Sequence, residues 1–232
     1  MEEAPCISHI ASLLADPKRA AMLWALMDGS AKSSSELARS VGLTAASANA
    51  HLGRLIGSGL LRVEVGRGKR LFRMAAPDVS AAIDALASTT VASAARSAPE
   101  VALPALVAPL LLRRARLCRG HLGGELAAQL YQQMLAAQWI ERYEHRTEVT
   151  LKGAQHLANL GIFTQALATP LVCECCDWSQ QHPHLGGALG AGLLQLFLQS
   201  NWISVAHDSQ ALTVSDIGLM EISRLATPEQ SQ

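Results

Sequence analysis

Residues 35–74, SELARSVGLTAASANAHLGRLIGSGLLRVEVGRGKRLFRM, leave little choice of local fold. A helical run ends at Gly42, Leu43 follows, and Thr44 opens a second run. A turn this tight between two helices needs left-handed backbone, which glycine adopts without steric cost. The pattern predicts a short helix over ELARSVG, capped by Ser34 or Ser35 and stopped at Gly42. A second helix follows over AASANAHLGRLIGSG, capped by Thr44 and ended by Gly59, with Leu52, Leu55 and Ile56 facing inward. LLRVEVGRGKRLFRM then alternates about GRG and reads as a β-hairpin, with Arg67, Lys69 and Arg70 crowding its tip. Upstream, Ile7, Ile10, Leu13 and Leu14 recur at helical spacing. Asp16 caps a further helix with Pro17 at its first position, a stripe of Met22, Leu23 and Leu26, and a stop at Gly29.

Four helices and a basic hairpin, in that order, predict a winged helix-turn-helix. The outer face of the second turn helix carries Thr44, Ser47, Asn49, His51 and Arg54, and the small residues Ala45, Ala46 and Ala48 keep it low. Such a profile suits entry into a major groove, where short polar groups reach base edges and Asn or Arg can make paired hydrogen bonds. A merely solvated face would more often carry Glu and Lys. The hairpin tip is placed to lie over phosphates or the minor groove. Residues 16–75 hold ten Lys/Arg against four Asp/Glu, a surplus of six in a chain of zero net charge. One basic module in a neutral chain is compatible with a polyanionic partner.

The N-terminal residues resemble the ArsR-type winged-helix repressors of bacteria. The matching features are Asp16-Pro17-x-Arg19, Ser47-x-x-x-His51-Leu52-x-x-Leu55, the Gly59-Leu60 stop and the glycine-containing wing, within about the first 95 residues. The resemblance implies a homodimer that binds double-stranded operator DNA and releases it on meeting an inducer. It also implies that PDVSAAIDALASTTVASAARS pairs with its copy through Val79, Ile83 and Leu86. The candidate DNA-binding set is Arg19, Ser35, Thr44, Ala45, Ser47, Asn49, His51, Arg54, Arg67, Lys69 and Arg70. Many relatives carry metal-binding thiols at the start of the helix before the turn, but AKSSSEL has no cysteine. Others use His and Asp along the dimer helix, which here has Asp84 and no histidine. Any sensing is therefore expected elsewhere.

The composition changes after Pro99 and Pro104, so a first domain is placed at 1–98 and a second at 99–232. HLGGELAAQLYQQMLAAQWIERYEHRTEVTLKG at 121–153 and HLGGALGAGLLQLFLQSNWISVAHDSQALTVSD at 184–216 share twelve identities in 33 ungapped positions. An internal duplication follows, with repeats near 118–161 and 176–226. Each repeat reads as a helix starting at His-Leu-Gly-Gly, a hairpin opened by Trp-Ile, and a final helix. Neither has a polar reading face, so both are expected to be packed core. The paired glycines Gly123-Gly124 and Gly186-Gly187 are expected to allow close helix approach. The expected fold class is mainly α with short β-hairpins: a winged helix-turn-helix, then a helical domain of two winged-helix-like repeats.

Candidate sensor residues lie in this second half: Cys118, His121, Cys173, Cys175, Cys176, Trp178 and His184. The separation of Cys118 from His121 would put both on one helical face. If the repeats face each other, Cys118, His121, Cys176 and His184 could form a tetrad of two thiolates and two imidazoles, suited to Zn²⁺ or a soft cation. The other reading is that each His orders a helix start and each Cys fills core. A disulfide from Cys173 to Cys176 or Cys118 is a further option, and Glu174 and Asp177 are expected to raise nearby thiol pKa values. Trp178 lines a pocket or fills core.

No cofactor is required by any motif. Phosphate loop, nucleophile elbow and HExxH are all missing from the sequence, so an enzyme is not expected. No apolar run reaches the ~18–20 residues of a membrane span. Five cysteines, three of them in CECC, do not suggest a secreted disulfide framework, and a cytoplasmic location is expected. The competing functional class is a winged-helix interaction module that no longer reads DNA.

Overall fold

The computed structural model describes residues 7–66, 68–96, 109–144, 146–176, 183–205 and 209–226, with backbone alone for 91–96 and Cys176. They form two compact units, and the division falls inside one helix, between Ile83 and Asp84. In the first unit α1 (Ile7–Leu14) and α2 (Pro17–Ala25) precede β1 (Lys32–Ser33), α3 (Ser34–Ser40) and α4 (Ala45–Gly57). The strands β2 (Leu61–Gly66) and β3 (Lys69–Met74) follow, and then α5 (Pro77–Arg96), the helix in which the division falls.

Local chemistry places most of these boundaries. Asp16 accepts hydrogen bonds from the Lys18 and Arg19 amides at 2.9 and 3.0 Å and so caps α2. The Arg19 amide bond is the main reason the Asp16 carboxyl titrates below its ordinary range. Ser33, not Ser34 or Ser35, caps α3. It closes a capping box in which Ser33 N donates to Glu36 Oε2 at 2.8 Å and Glu36 N donates to Ser33 Oγ at 3.3 Å. The cap lies earlier than expected because Ser33 also ends β1, whose extended backbone is the conformation an N-cap needs. Gly42 has φ +65°, and the next residue, Leu43, sends its amide back to the Ala38 carbonyl at 2.9 Å. Thr44 Oγ1 then accepts from Ser47 N, opening α4.

Met22, Leu23, Leu26, Leu37, Leu52 and Leu55 are fully or almost fully buried together with Phe72 and Met74 of the wing. The sheet order is β1-β3-β2, antiparallel throughout, with Lys32 opposite Phe72 and Leu61 opposite Met74. Strand β1 was not expected, because two residues are too few to show a period.

The second unit contains α6 (Leu110–Arg114), β4 (Arg116–Cys118), β5 (His121–Gly123), α7 (Glu125–Ala136), β6 (Ile140–Arg142), β7 (Thr147–Val149) and α8 (Leu151–Asn159). After a short 3₁₀ turn at Thr164–Ala166 come β8 (Cys173–Cys176), β9 (Pro183–Gly186), α9 (Gly187–Gln199), β10 (Ile203–Val205), β11 (Leu212–Val214) and α10 (Asp216–Arg224). The order hairpin, helix, hairpin, helix thus occurs twice. The chain is mixed α/β rather than mainly α. His-Leu-Gly enters each unit of that order as a strand, not as the start of a helix. The second glycine of each pair turns strand into helix, Gly124 at φ +92° and Gly187 at φ +77°. One apolar cluster joins Tyr131 and Met134 of α7 to Leu189, Leu193 and Phe197 of α9. Among the described residues no helix is long and apolar enough to cross a membrane.

Candidate nucleic-acid interface and a buried cysteine–histidine cluster

Ala45, Ser47, Asn49 and Arg54 are exposed on α4, alongside Ala46, Ala50 and Gly53. Ala48 instead belongs to the inner face, fully buried. Asn49 and Gly53 line a cleft of about 410 Å³ with Ser34, Leu52, Ile56, Arg70 and Phe72, so the helix surface and the wing border one depression. Lys69 and Arg70 are exposed, and the Arg70 guanidinium lies 5.9 Å from the centre of the Phe72 ring. Arg67 lies outside the described residues. Ser35 is exposed at the start of α3, its hydroxyl 3.1 Å from that of Ser33. Thr44 is exposed but its hydroxyl accepts the cap bond of α4.

Two members of the expected set are directed into the fold. Arg19 is only 7% exposed. Its guanidinium donates to the carbonyls of Leu13 and Ser12, both at 2.8 Å, and pairs with Asp16 at 3.2 Å. It ties the end of α1 to the start of α2. His51 points back toward the α2 cap, with Nδ1 3.9 Å from Asp16 Oδ2. At about 100° per residue His51 falls beside the buried Leu55 and Ala48, at the edge of the inner face.

In the second unit β4 and β5 pair so that Cys118 is directly opposite His121. The two-residue connection, Arg119 at φ +49° and Gly120 at φ +86°, has the positive φ pair of a tight hairpin turn. Cys118 and His121 are therefore cross-strand neighbours, not residues on one helical face. In β8 and β9 Cys175 is directly opposite His184. The two Cys–His pairs converge: Cys118 Sγ and Cys175 Sγ are 3.7 Å apart, and the two Nε2 atoms are 3.0 Å apart. All four residues are buried, with their ligand atoms within 4.8 Å of one another.

Cys175, rather than Cys176, thus completes the tetrad expected from the sequence. Alternation along β8 sends its neighbour Glu174 to other partners: the hydroxyls of Tyr131 and Thr147, both at 2.6 Å, and Arg142 Nε at 2.8 Å. The Cys176 side chain and Trp178 lie outside the described residues, while Cys173 is an exposed free thiol. The hydrogen bond with Cys175, followed by burial, pushes the Cys118 thiol pKa up, and burial does the same for Cys173. The direction agrees with the sequence argument, with that hydrogen bond and burial as the leading causes; Asp177, invoked there, lies outside the described residues. Arg116 Nη2 lies 3.7 Å from Cys118 Sγ, and its Nη1 is paired with Asp84 of α5.

Residues 14–64 match a family model described as a helix-turn-helix domain. Over 217 residues the chain is 30% identical to the uncharacterized HTH-type transcriptional regulator YdfF of Bacillus subtilis, spanning 92% of this chain and 94% of that one. The chain belongs to the HTH-type transcriptional regulators. As a regulator of this family it binds DNA and is not an enzyme. Among solved structures, the chain is similar to the winged helix-turn-helix domain of Mb0332 from Mycobacterium bovis, at 21% identity over 39% of this chain and 81% of that one, TM-score 0.34. The repressor BigR from Xylella fastidiosa is similar at 20% identity over 36% of this chain and 84% of its own, TM-score 0.33.

Sequence reasoning overlooked several of the regulator's polar residues. Arg62 and Arg73 flank Glu64 at 3.2 and 3.4 Å, so two of the wing's cations are paired within the sheet. Their register, Arg62 opposite Arg73, was a usable signal once a hairpin had been drawn, since like charges face to face call for a carboxylate beside them. Neither Asp84–Arg116 nor the partners of Glu174 left any local signal, because each joins distant segments.

Proposed function

We propose that the regulator is a homodimeric repressor that reads a near-palindromic operator with α4 and holds the DNA backbone with the β2–β3 hairpin. The observation that carries this reading is that Ser47, Asn49 and Arg54 are all exposed along the outward arc of α4, within the same unit as the exposed Lys69 and Arg70. Dimerisation is supported by α5 and α1. Helix α5 buries a polar row, Ser80, Asp84 and Ser88, and leaves Val79 and Ile83 half-buried and Leu86 exposed. On α1, Ile7 is 84% exposed. A second copy covering these apolar side chains would present two reading helices one helical turn of DNA apart. Release from the operator follows a small-molecule, redox or metal signal taken up in the second unit, and the place of action is the cytoplasm.

The test is selection of bound fragments from genomic DNA of the source organism by the purified full-length chain. An enriched near-palindrome is expected, and its neighbouring genes would identify the regulated function. A folded dimer that enriches nothing at low salt would replace this reading with that of an interaction module. Within the selected site, Asn49→Ala or Arg54→Ala is expected to weaken specific binding by about 1–3 kcal/mol while leaving non-specific binding nearly unchanged. Competition titrations measure both. Lys69→Ala or Arg70→Ala is expected to weaken binding to every sequence. Each should also reduce the slope of log K against log salt by about 1 for every phosphate it no longer neutralises.

A further inference from the structure

We propose that Cys118, His121, Cys175 and His184 form a closed tetrahedral site for one Zn²⁺-like cation, which staples the β4–β5 hairpin to the β8–β9 hairpin. The inference stands apart from the DNA-reading proposal and rests on ligand identity, geometry and enclosure.

Two thiolates and two imidazoles are the donor set of structural zinc. With Zn–S about 2.3 Å and Zn–N about 2.0–2.1 Å, a tetrahedron has an S···S edge of about 3.8 Å and an N···N edge of about 3.3 Å. The observed separations are 3.7 Å between sulfurs and 3.0 Å between Nε2 atoms. The mixed S···N edges need about 3.6 Å. Since all four atoms lie within 4.8 Å of one another, the widest pair closes by at most about 1.2 Å. A Cys118–Cys175 disulfide would need the sulfurs to reach about 2.05 Å and would leave the convergence of two buried imidazoles unexplained.

The surroundings fit a buried metal. Each hairpin contributes one thiol and one imidazole from directly opposed positions, so the ligand pairs are set by strand register rather than by loops. Both histidines offer Nε2, which leaves Nδ1 of each ring for an orienting contact. Arg116 lies against the Cys118 sulfur and is itself paired with Asp84. Binding releases one proton from each thiol to solvent. Two thiolates then cancel the charge of the dication. All four positions are filled by protein, which leaves no open coordination position for a substrate and points to a structural role.

The test uses the full-length chain, purified under reducing conditions and stripped with a chelator. Titration with Co²⁺ is expected to give one ion per chain, with the intense visible bands of tetrahedral cobalt and a thiolate charge-transfer band. One equivalent of Zn²⁺ should bleach them, and zinc should raise the melting temperature of the stripped chain. Cys118→Ser and Cys175→Ser should lose the spectrum, whereas Cys173→Ser and Cys176→Ser should keep it. X-ray absorption on the zinc-loaded wild-type chain needs no variant. It should show two sulfurs at about 2.3 Å and two nitrogens at about 2.0–2.1 Å. The proposal is overturned by a weak six-coordinate cobalt spectrum, by equal effects of Cys173→Ser and Cys175→Ser, or by a shell of nitrogen and oxygen alone. A reduced chain that takes up no metal but forms a Cys118–Cys175 disulfide in air would overturn it in favour of a thiol switch.

Discussion

Asp84→Ala is expected to destabilise the second unit by about 3–5 kcal/mol. The Arg116 side chain is 0% exposed and the Asp84 side chain 5%, and the two are paired. Removing the carboxylate withdraws the opposite charge paired with a guanidinium held in an interior that solvates it poorly, and that loss dominates the cost. Replacing both members by apolar residues of similar volume, as in Asp84→Leu with Arg116→Met, removes both desolvation costs and is expected to recover most of the loss. Urea unfolding of the three proteins measures this, provided the slope with denaturant stays constant. A single-mutant loss under 1 kcal/mol would mean that the pair does not brace the interior.

The second large effect concerns Gly153. A Cβ on this residue would stand 1.9 Å from the Trp139 carbonyl oxygen and 2.6 Å from its carbon. No rotamer relieves such a clash, because the obstructing atoms are backbone. The same carbonyl accepts from Thr150 N at 3.0 Å, and Thr150 Oγ1, which also caps α8 by accepting from Gly153 N at 2.9 Å, lies 3.3 Å from it. Gly153→Ala therefore has to move the strand entry and the helix cap together, at an expected cost of about 3 kcal/mol. Gly218 repeats the arrangement at α10, where a Cβ would stand 2.2 Å from the Trp202 carbonyl oxygen with Ser215 as the cap, and Gly218→Ala is expected to behave alike. Gly57 provides the contrast: a Cβ there meets nothing within 4 Å. Gly57→Ala in α4 is expected to be neutral or to stabilise by up to about 1 kcal/mol, through helix propensity alone. Equal melting temperatures for Gly153→Ala and Gly57→Ala would contradict the close-approach account.

The paired glycines singled out from the sequence, Gly124 and Gly187 among them, do sit against backbone: a Cβ would meet Arg113 O at 2.7 Å and Leu171 O at 2.8 Å. Gly124 thus approaches the last residues of α6, as expected of a close helix contact, whereas Gly187 approaches Pro170 and Leu171, chain leading into the β8–β9 hairpin. Gly153 and Gly218 carried no comparable signal, since a glycine in the first turn of a helix looks like an ordinary weak helix former until the neighbouring strand is placed.

By itself the sequence determined the winged helix of the first unit. Asp16, Thr44, Gly42 and the GRG hairpin act within four or five residues, and a cap or a positive-φ stop has the same meaning wherever the segment later packs. It also put His121 and His184 at matching places in two similar segments, each with cysteine upstream. Only the tertiary structure decided which of them meet. A strand alternates sides at every residue, so a shift of one position exchanges Cys176 for Cys175, and Cys118 meets His121 because a tight turn pairs their strands, not through helical spacing. Likewise Arg19 and His51 look like outward polar groups in the sequence. Whether a cation or imidazole faces DNA or the protein's own carbonyls and carboxylates depends on elements brought together by packing, and no local period encodes that.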